Sequence, residues 1–268
     1  MENKFSVSVI LPIKSSKAKD FEEYFNKAIN SIKNQSVELE EILIVHSIEE
    51  SLQEFLKSYN FENLNVKLLE WSQKPNYCSQ VNFGIKNAKA TWISLFEFDD
   101  EYSNIWFKNV KKYAESYPDV QMFLPVVVEV DEKGTFAGFT NEATFAANFT
   151  QEMGFLTNDT LQDYQNFQTA GSVFKKSLID DFGGFKPSIK LTFIYEFLLR
   201  LTYNSVSIMT IPKLGYKHVN LREGSIFWNY KNGDSKMLED EVKFWLQTAK
   251  KEYFFTDDRV IKYESPNA

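Results

Sequence analysis

Apolar and polar positions alternate between two periods along the first half of the chain. Phe5-Ser-Val-Ser-Val-Ile-Leu11 reads as a strand ending at Pro12. Phe21 to Lys33 then places Phe21, Tyr24, Phe25, Ala28, Ile29 and Ile32 on one helical face. The same switching predicts strands at Glu41–His46, Leu64–Leu69 and Trp92–Phe96, with helices at Ser51–Tyr59 and Tyr77–Asn87 between them. Strands alternating with helices in this way imply parallel pairing through right-handed crossovers, hence an α/β fold with a doubly wound, mostly parallel sheet flanked by helices.

The second half is less regular. A helix-like stretch runs from Asn104 to Tyr117, and Val120 to Val130 is strand-like, with the turn signal Asp131-Glu-Lys-Gly134 predicting a hairpin and so a small antiparallel element. Thr140 to Gln168 reads as loop. Helices are predicted at Lys175–Phe182 and Phe193–Tyr203, a strand at Val206–Ile211, and a long closing helix at Ser235–Phe255 with Leu238, Val242, Trp245, Leu246 and Ala249 on its packing face. The tail from Glu264 reads as frayed. With no linker signal, residues 1–268 are expected to form one domain, divided at about residue 118 into a binding half and an acceptor half, with 235–255 packing on the outside.

The strand at Trp92 stops in Glu97-Phe-Asp99-Asp100-Glu101, four carboxylates within five residues. Open α/β sheets bind ligands at the carboxyl ends of their strands. On an extended backbone Glu97 and Asp99 point the same way and can share a divalent cation, Mn²⁺ or Mg²⁺, of the kind that holds a nucleotide diphosphate. The plainer reading is a solvated turn whose acids favour the start of the next helix.

Composition narrows the classes. The chain of 268 residues is 43% hydrophobic and 25% charged, as for an ordinary globular protein. A net charge of −7 without a stripe of Lys and Arg argues against a nucleic-acid partner. The single cysteine, Cys78, forms no internal disulfide and no Cys-based zinc site. The absence of a signal-like segment at Met1–Ser15, or of an apolar run near the length of a membrane span, gives the expectation of a cytoplasmic protein, with peripheral membrane association left open. Neither a dinucleotide-binding glycine motif nor a P-loop follows the first strand, which leads into Pro12-Ile-Lys14.

Taken together, Val7–Pro12, Ala28–Ser36, Asn82–Ile93, the acidic motif Glu97-Phe-Asp99-Asp100, the turn Phe182-Gly-Gly-Phe185 and the segment Tyr216–Ser225 resemble a GT-A-type inverting glycosyltransferase of the family that uses nucleotide-diphosphate sugars. The resemblance implies a sugar moved with inversion from a nucleotide-diphosphate donor to a hydroxyl of a glycan, lipid or protein. It implies a donor site of Pro12, Lys14, His46, Asn82, Glu97, Asp99 and Arg222, and a metal held by Asp99 and Glu97 with His218 as third ligand, a role for which Arg222 competes by neutralising diphosphate charge directly.

Three positions depart from the family pattern. The second strand ends Val45-His46-Ser47-Ile48-Glu49 where two Asp and Gly-Ser are usual. Arg222 stands where a metal-binding His is often found. Phe193 and Ile194 occupy the positions of the Glu-Asp pair that supplies the general base. The candidate bases are then Glu142 and Glu196. Glu196 is rotated about 200° from Ile194 on a helix, and its alternative reading is an ion pair with Arg200 four residues on. The competing functional reading is a pseudo-glycosyltransferase that keeps the fold as a binding or scaffold protein.

Overall fold

The computed structural model describes residues 5–142 and 154–264. Its first half follows the predicted alternation: β1 (Val7–Ile13), α1 (Phe21–Lys33), β2 (Glu41–Ser47), α2 (Glu50–Ser58), β3 (Val66–Trp71), α3 (Tyr77–Asn87) and β4 (Trp92–Leu95). These strands pair in parallel in the order β3-β2-β1-β4, with Val9 opposite Ile42 on one side and Ser94 on the other. Both faces are covered, which is why the strands read as nearly unbroken apolar runs. Ile10, Leu43, Val45 and Ile93 point to the side of α3, whereas Val9, Leu11, Ile42 and Ile44 pack beneath α1 and α2.

Past β4 the sheet continues through β5 (Glu101–Tyr102), β6 (Met122–Val130), β7 (Phe136–Thr140), β8 (Gly154–Leu156), β9 (Val173–Lys175) and β10 (Ile208–Val219). The full order is β3-β2-β1-β4-β9-β6-β10-β5, with β7 on β6 and β8 on β10. β6 and β10 are parallel, while β5, β7, β8 and β9 all pair antiparallel, so the antiparallel element is larger than one hairpin. Helices α4 (Trp106–Ser116), α5 (Asn158–Asp163), α6 (Ser177–Phe182), α7 (Phe193–Tyr203), α8 (Ile226–Asn232) and α9 (Glu239–Glu252) complete the layers. Among the described residues no helix is long and apolar enough to cross a membrane.

Two elements differ from the sequence expectation. The strand expected to stop at Ile211 runs on to Val219, because register shifts between Ile211, Leu214 and Tyr216 absorb Pro212 and Gly215 as irregularities without ending the pairing. The closing helix is shorter than Ser235–Phe255, since α9 begins only after Leu238 and ends at Glu252, and a separate short helix, α8, precedes it and stops before Gly233. Part of the expected loop at 140–168 is β8 and α5, and its stretch 143–153 lies outside the described residues.

Candidate active site

The acidic motif lies where the chain leaves β4. After Leu95 the backbone turns, Asp100 N–H donating to Glu97 O at 3.2 Å, and Glu97 N–H donates to the Tyr216 hydroxyl on β10 at 3.1 Å. The turn sends its two aspartates to different cations. Asp100, fully buried, accepts from Val219 N–H at 2.9 Å and lies 2.9 and 3.1 Å from Nδ1 of His218. Asp99 receives Nε of Arg222 at 2.5 Å, while the guanidinium lies 4.8 Å over the Phe98 ring and also donates to Glu223 O at 2.9 Å.

Burying these groups together perturbs Glu97, Asp99 and His218. Loss of solvent, then the neighbouring charge of Asp100, pushes the Glu97 carboxyl up to about 8. Burial and Asp100 also raise Asp99 against the opposing pull of Arg222. For His218 burial alone would lower the value, but Asp100, Glu97 and Asp99 outweigh it and carry the imidazole up to about 10. At neutral pH the group therefore holds extra protons, and a divalent cation would neutralise the same charge. Ligating atoms of Glu97, Asp100 and His218 all lie within 4.8 Å of one another, two carboxylates and an imidazole that could hold a metal ion. Of the expected Glu97, Asp99 and His218, the structure brings Glu97 and His218 together with Asp100, while Asp99 is engaged by Arg222.

Beside this group a cavity of about 440 Å³ opens at the carboxyl ends of β1 and β4, lined by Pro12, Lys14, Glu97, Asp99 and Arg222, all expected in the donor site. Its other wall carries Tyr77, Ile189, Phe193, Tyr230 and Asp234. Phe193 stacks between Tyr77 at 5.6 Å and Phe227 at 6.0 Å, so an aromatic face replaces the ionisable pair of the family pattern. Two larger hollows, about 1070 and 870 Å³, lie around Phe5 at the opposite end of the strands and contain none of the expected site residues.

The remaining expected residues lie elsewhere. His46 is buried behind the end of β2, with Nδ1 3.1 Å from Ser47 O, and does not line the cavity. Asn82, expected in the donor site, does not line the cavity. Instead it clamps the backbone of Phe185, donating to its carbonyl at 2.7 Å and accepting from its N–H at 2.9 Å. A Cβ on Gly184 would stand 2.4 Å from Asn82 Oδ1, so glycine permits this clamp. The Pro12 loop is braced by Gln80, whose buried amide donates to Ile13 O and Val45 O, each at 3.1 Å.

Glu196 is no base. It is fully buried between Arg200, at 2.9 and 3.0 Å, and Lys186 at 3.0 Å, so both oxygens are committed and neither faces the cavity. Its alternative reading as a partner for Arg200 is the one the structure supports. Glu142 is exposed at the end of β7 and does not line the cavity.

Sequence reasoning also missed Glu49. Its carboxylate accepts from the hydroxyls of Ser15 at 2.7 Å, Ser16 at 2.9 Å and Ser51 at 3.0 Å, which together outweigh burial and hold it below the usual carboxylate range. Ser47 Oγ donates to Lys14 O beside it. The acid that stands in place of the family's β2 acids thus shapes the loop carrying Lys14. The serine pair following Lys14 was the available signal.

The model of the glycosyl transferase family 2 matches residues 8–180. None of the curated protein sequences matches the chain. Among solved structures, S. aureus TarS 1–349 in complex with UDP-GlcNAc superposes with a TM-score of 0.63 at 18% identity over 91% of this chain and 65% of that one. TarS 1–349 in complex with UDP gives 0.60 at 18% identity over 93% and 72%. The chain spans 60% of TarS 1–349 in a further structure and 44% of the longer TarS chain. Since the family match covers more than half of the sequence and the fold superposes on these structures, the chain belongs to glycosyl transferase family 2 and has the GT-A fold.

Proposed function

We propose that the protein transfers a sugar, with inversion, from a nucleotide-diphosphate donor to a hydroxyl group of a glycan or other acceptor. The observation that carries this reading is the convergence of Pro12, Lys14, Glu97, Asp99 and Arg222 on one cavity beside the Glu97–Asp100–His218 group. The TarS structures that bind UDP-GlcNAc and UDP support a nucleotide sugar as donor.

In this reading Glu97, Asp100 and His218 would hold Mn²⁺ or Mg²⁺, which would stabilise the negative charge on the departing diphosphate. Arg222, fixed between Asp99 and the Phe98 ring, offers a planar cation to the phosphates, and Lys14 adds a second, mobile one. Tyr77, Phe193 and Tyr230 give the sugar or acceptor an apolar face and keep water from the anomeric carbon.

Titration calorimetry with UDP and GDP, with and without Mn²⁺ or Mg²⁺, tests the reading. Affinity is expected to depend on the ion, and Asp100→Asn to weaken ion-dependent binding by about 10-fold to 100-fold or more. Equal affinities with and without ion, in wild type and in Asp100→Asn alike, overturn it.

A further inference from the structure

Transfer to a hydroxyl needs a group to take its proton, and neither Phe193 nor Ile194 can do so. Among the described residues, the carboxylates lining the cavity are Glu97, Asp99 and Asp234. Asp99 is engaged by Arg222, and Glu97 belongs to the group that suits a cation. Asp234 remains. Its side chain is exposed at the cavity wall and makes no hydrogen bond or ion pair with a described residue.

The backbone beneath Asp234 is fixed. Lys236 N–H donates to Gly233 O at 3.0 Å, Met237 N–H donates to Tyr230 O at 2.9 Å, and Met237 itself is buried. The turn follows α8, whose Phe227 stacks on Phe193 at 6.0 Å with the rings 14° from parallel. The turn after the helix that packs against Phe193 thus offers a carboxylate to the same cavity that Phe193 lines.

Building on the transfer reading above, we propose that Asp234 is the general base. As the acceptor oxygen bonds to the anomeric carbon, its proton passes to the Asp234 carboxylate. The bond from that carbon to the diphosphate breaks, with the electron pair leaving on the diphosphate oxygen.

UDP release from a panel of UDP-sugars, UDP-GlcNAc among them, is measured with Mn²⁺ and simple glycoside acceptors for wild type, Asp234→Asn, Asp234→Ala and Asp234→Glu. Asp234→Asn is expected to lower kcat roughly 10²-fold to 10⁴-fold. UDP affinity by calorimetry is expected to stay within about twofold, and the acid limb of the kcat–pH profile to disappear. Azide or formate should restore part of the turnover of Asp234→Ala, and Asp234→Glu should retain more than Asp234→Asn. Turnover of Asp234→Asn within about threefold of wild type, a parallel fall in UDP affinity, or no rescue by either anion overturns the assignment. A wild type that binds UDP with the ion yet releases none from any donor overturns the transfer reading, and the role of Asp234 with it.

Discussion

Glu97 and Glu196 are both buried carboxylates, and their neighbours decide what each can do. Glu97 sits among other acids at the edge of the cavity, where burial and their charge hold its proton until a cation takes its place. Glu196 is neutralised by Lys186 and Arg200, whose remaining donors are taken by backbone carbonyls of Gly183, Gly184, Glu252 and Phe255. Glu196→Gln leaves two buried cations short of a counter-charge and is expected to cost about 3–5 kcal/mol in urea unfolding at neutral pH while UDP affinity of the folded protein stays unchanged. A loss below about 1 kcal/mol would refute the structural role. The pairing of Glu196 with Arg200 was legible from four-residue spacing; the arrival of Lys186 was not, because it comes from outside the helix. The exchange of Asp99 for Asp100 has a similar cause. Strand alternation placed Glu97 and Asp99 on one side, but β4 ends at Leu95 and the turn after it obeys no period of two.

At the scale of elements, α3 shows how closely the parallel layer is packed beneath the site. A Cβ on Gly84 would come within 2.6 Å of Ile10 Cγ2 and 3.0 Å of Val45 Cγ2, both in the core. Gly84→Ala would gain about 1 kcal/mol of helix propensity. The overpacking term, about 1–3 kcal/mol, outweighs it, and the expected outcome is a lower Tm in calorimetric scans. An unchanged or higher Tm would mean that α3 can lift away from the sheet without cost. The same helix carries Gln80, so lifting it would also loosen the ends of β1 and β2. Period and order made β1 to β4 and their helices readable. β10 was cut short in the reading because Pro212 and Gly215 mimic a strand end, and only pairing with β6 across the irregularity reveals that His218 sits on a strand.

For the whole molecule, the C-terminal segment is fastened to α9 and to the turn before α7. Arg259 donates to Glu252 at 2.6 and 2.9 Å, and Asp258 accepts from Ser188 N–H at 3.1 Å. The hydrogen bond from Arg259 is the main reason that Glu252 lies below its ordinary value of 4.5. A depressed carboxylate contributes stability above its unfolded value, and that contribution is lost as pH falls through the folded one. The gap in urea midpoint between wild type and Arg259→Ala is therefore expected to be largest above about pH 5 and to shrink below about pH 4. A gap that stays constant from pH 7 to pH 3 would show that the ring contact of Arg259 with Phe255, at 3.6 Å, supplies the whole effect.

The acidic motif ties the two sides of residue 180 together by charge. The segment matched by the family model ends at residue 180, yet the partners of Asp99 and Asp100 are Arg222 and His218, which come after it. The stretch that identifies the family is therefore electrically incomplete. Cut at 180, it would keep three clustered acids and lose both cations that make their burial tolerable. Exchange of C-terminal halves between relatives is consequently constrained first by charge balance at the end of β4, before any question of substrate arises.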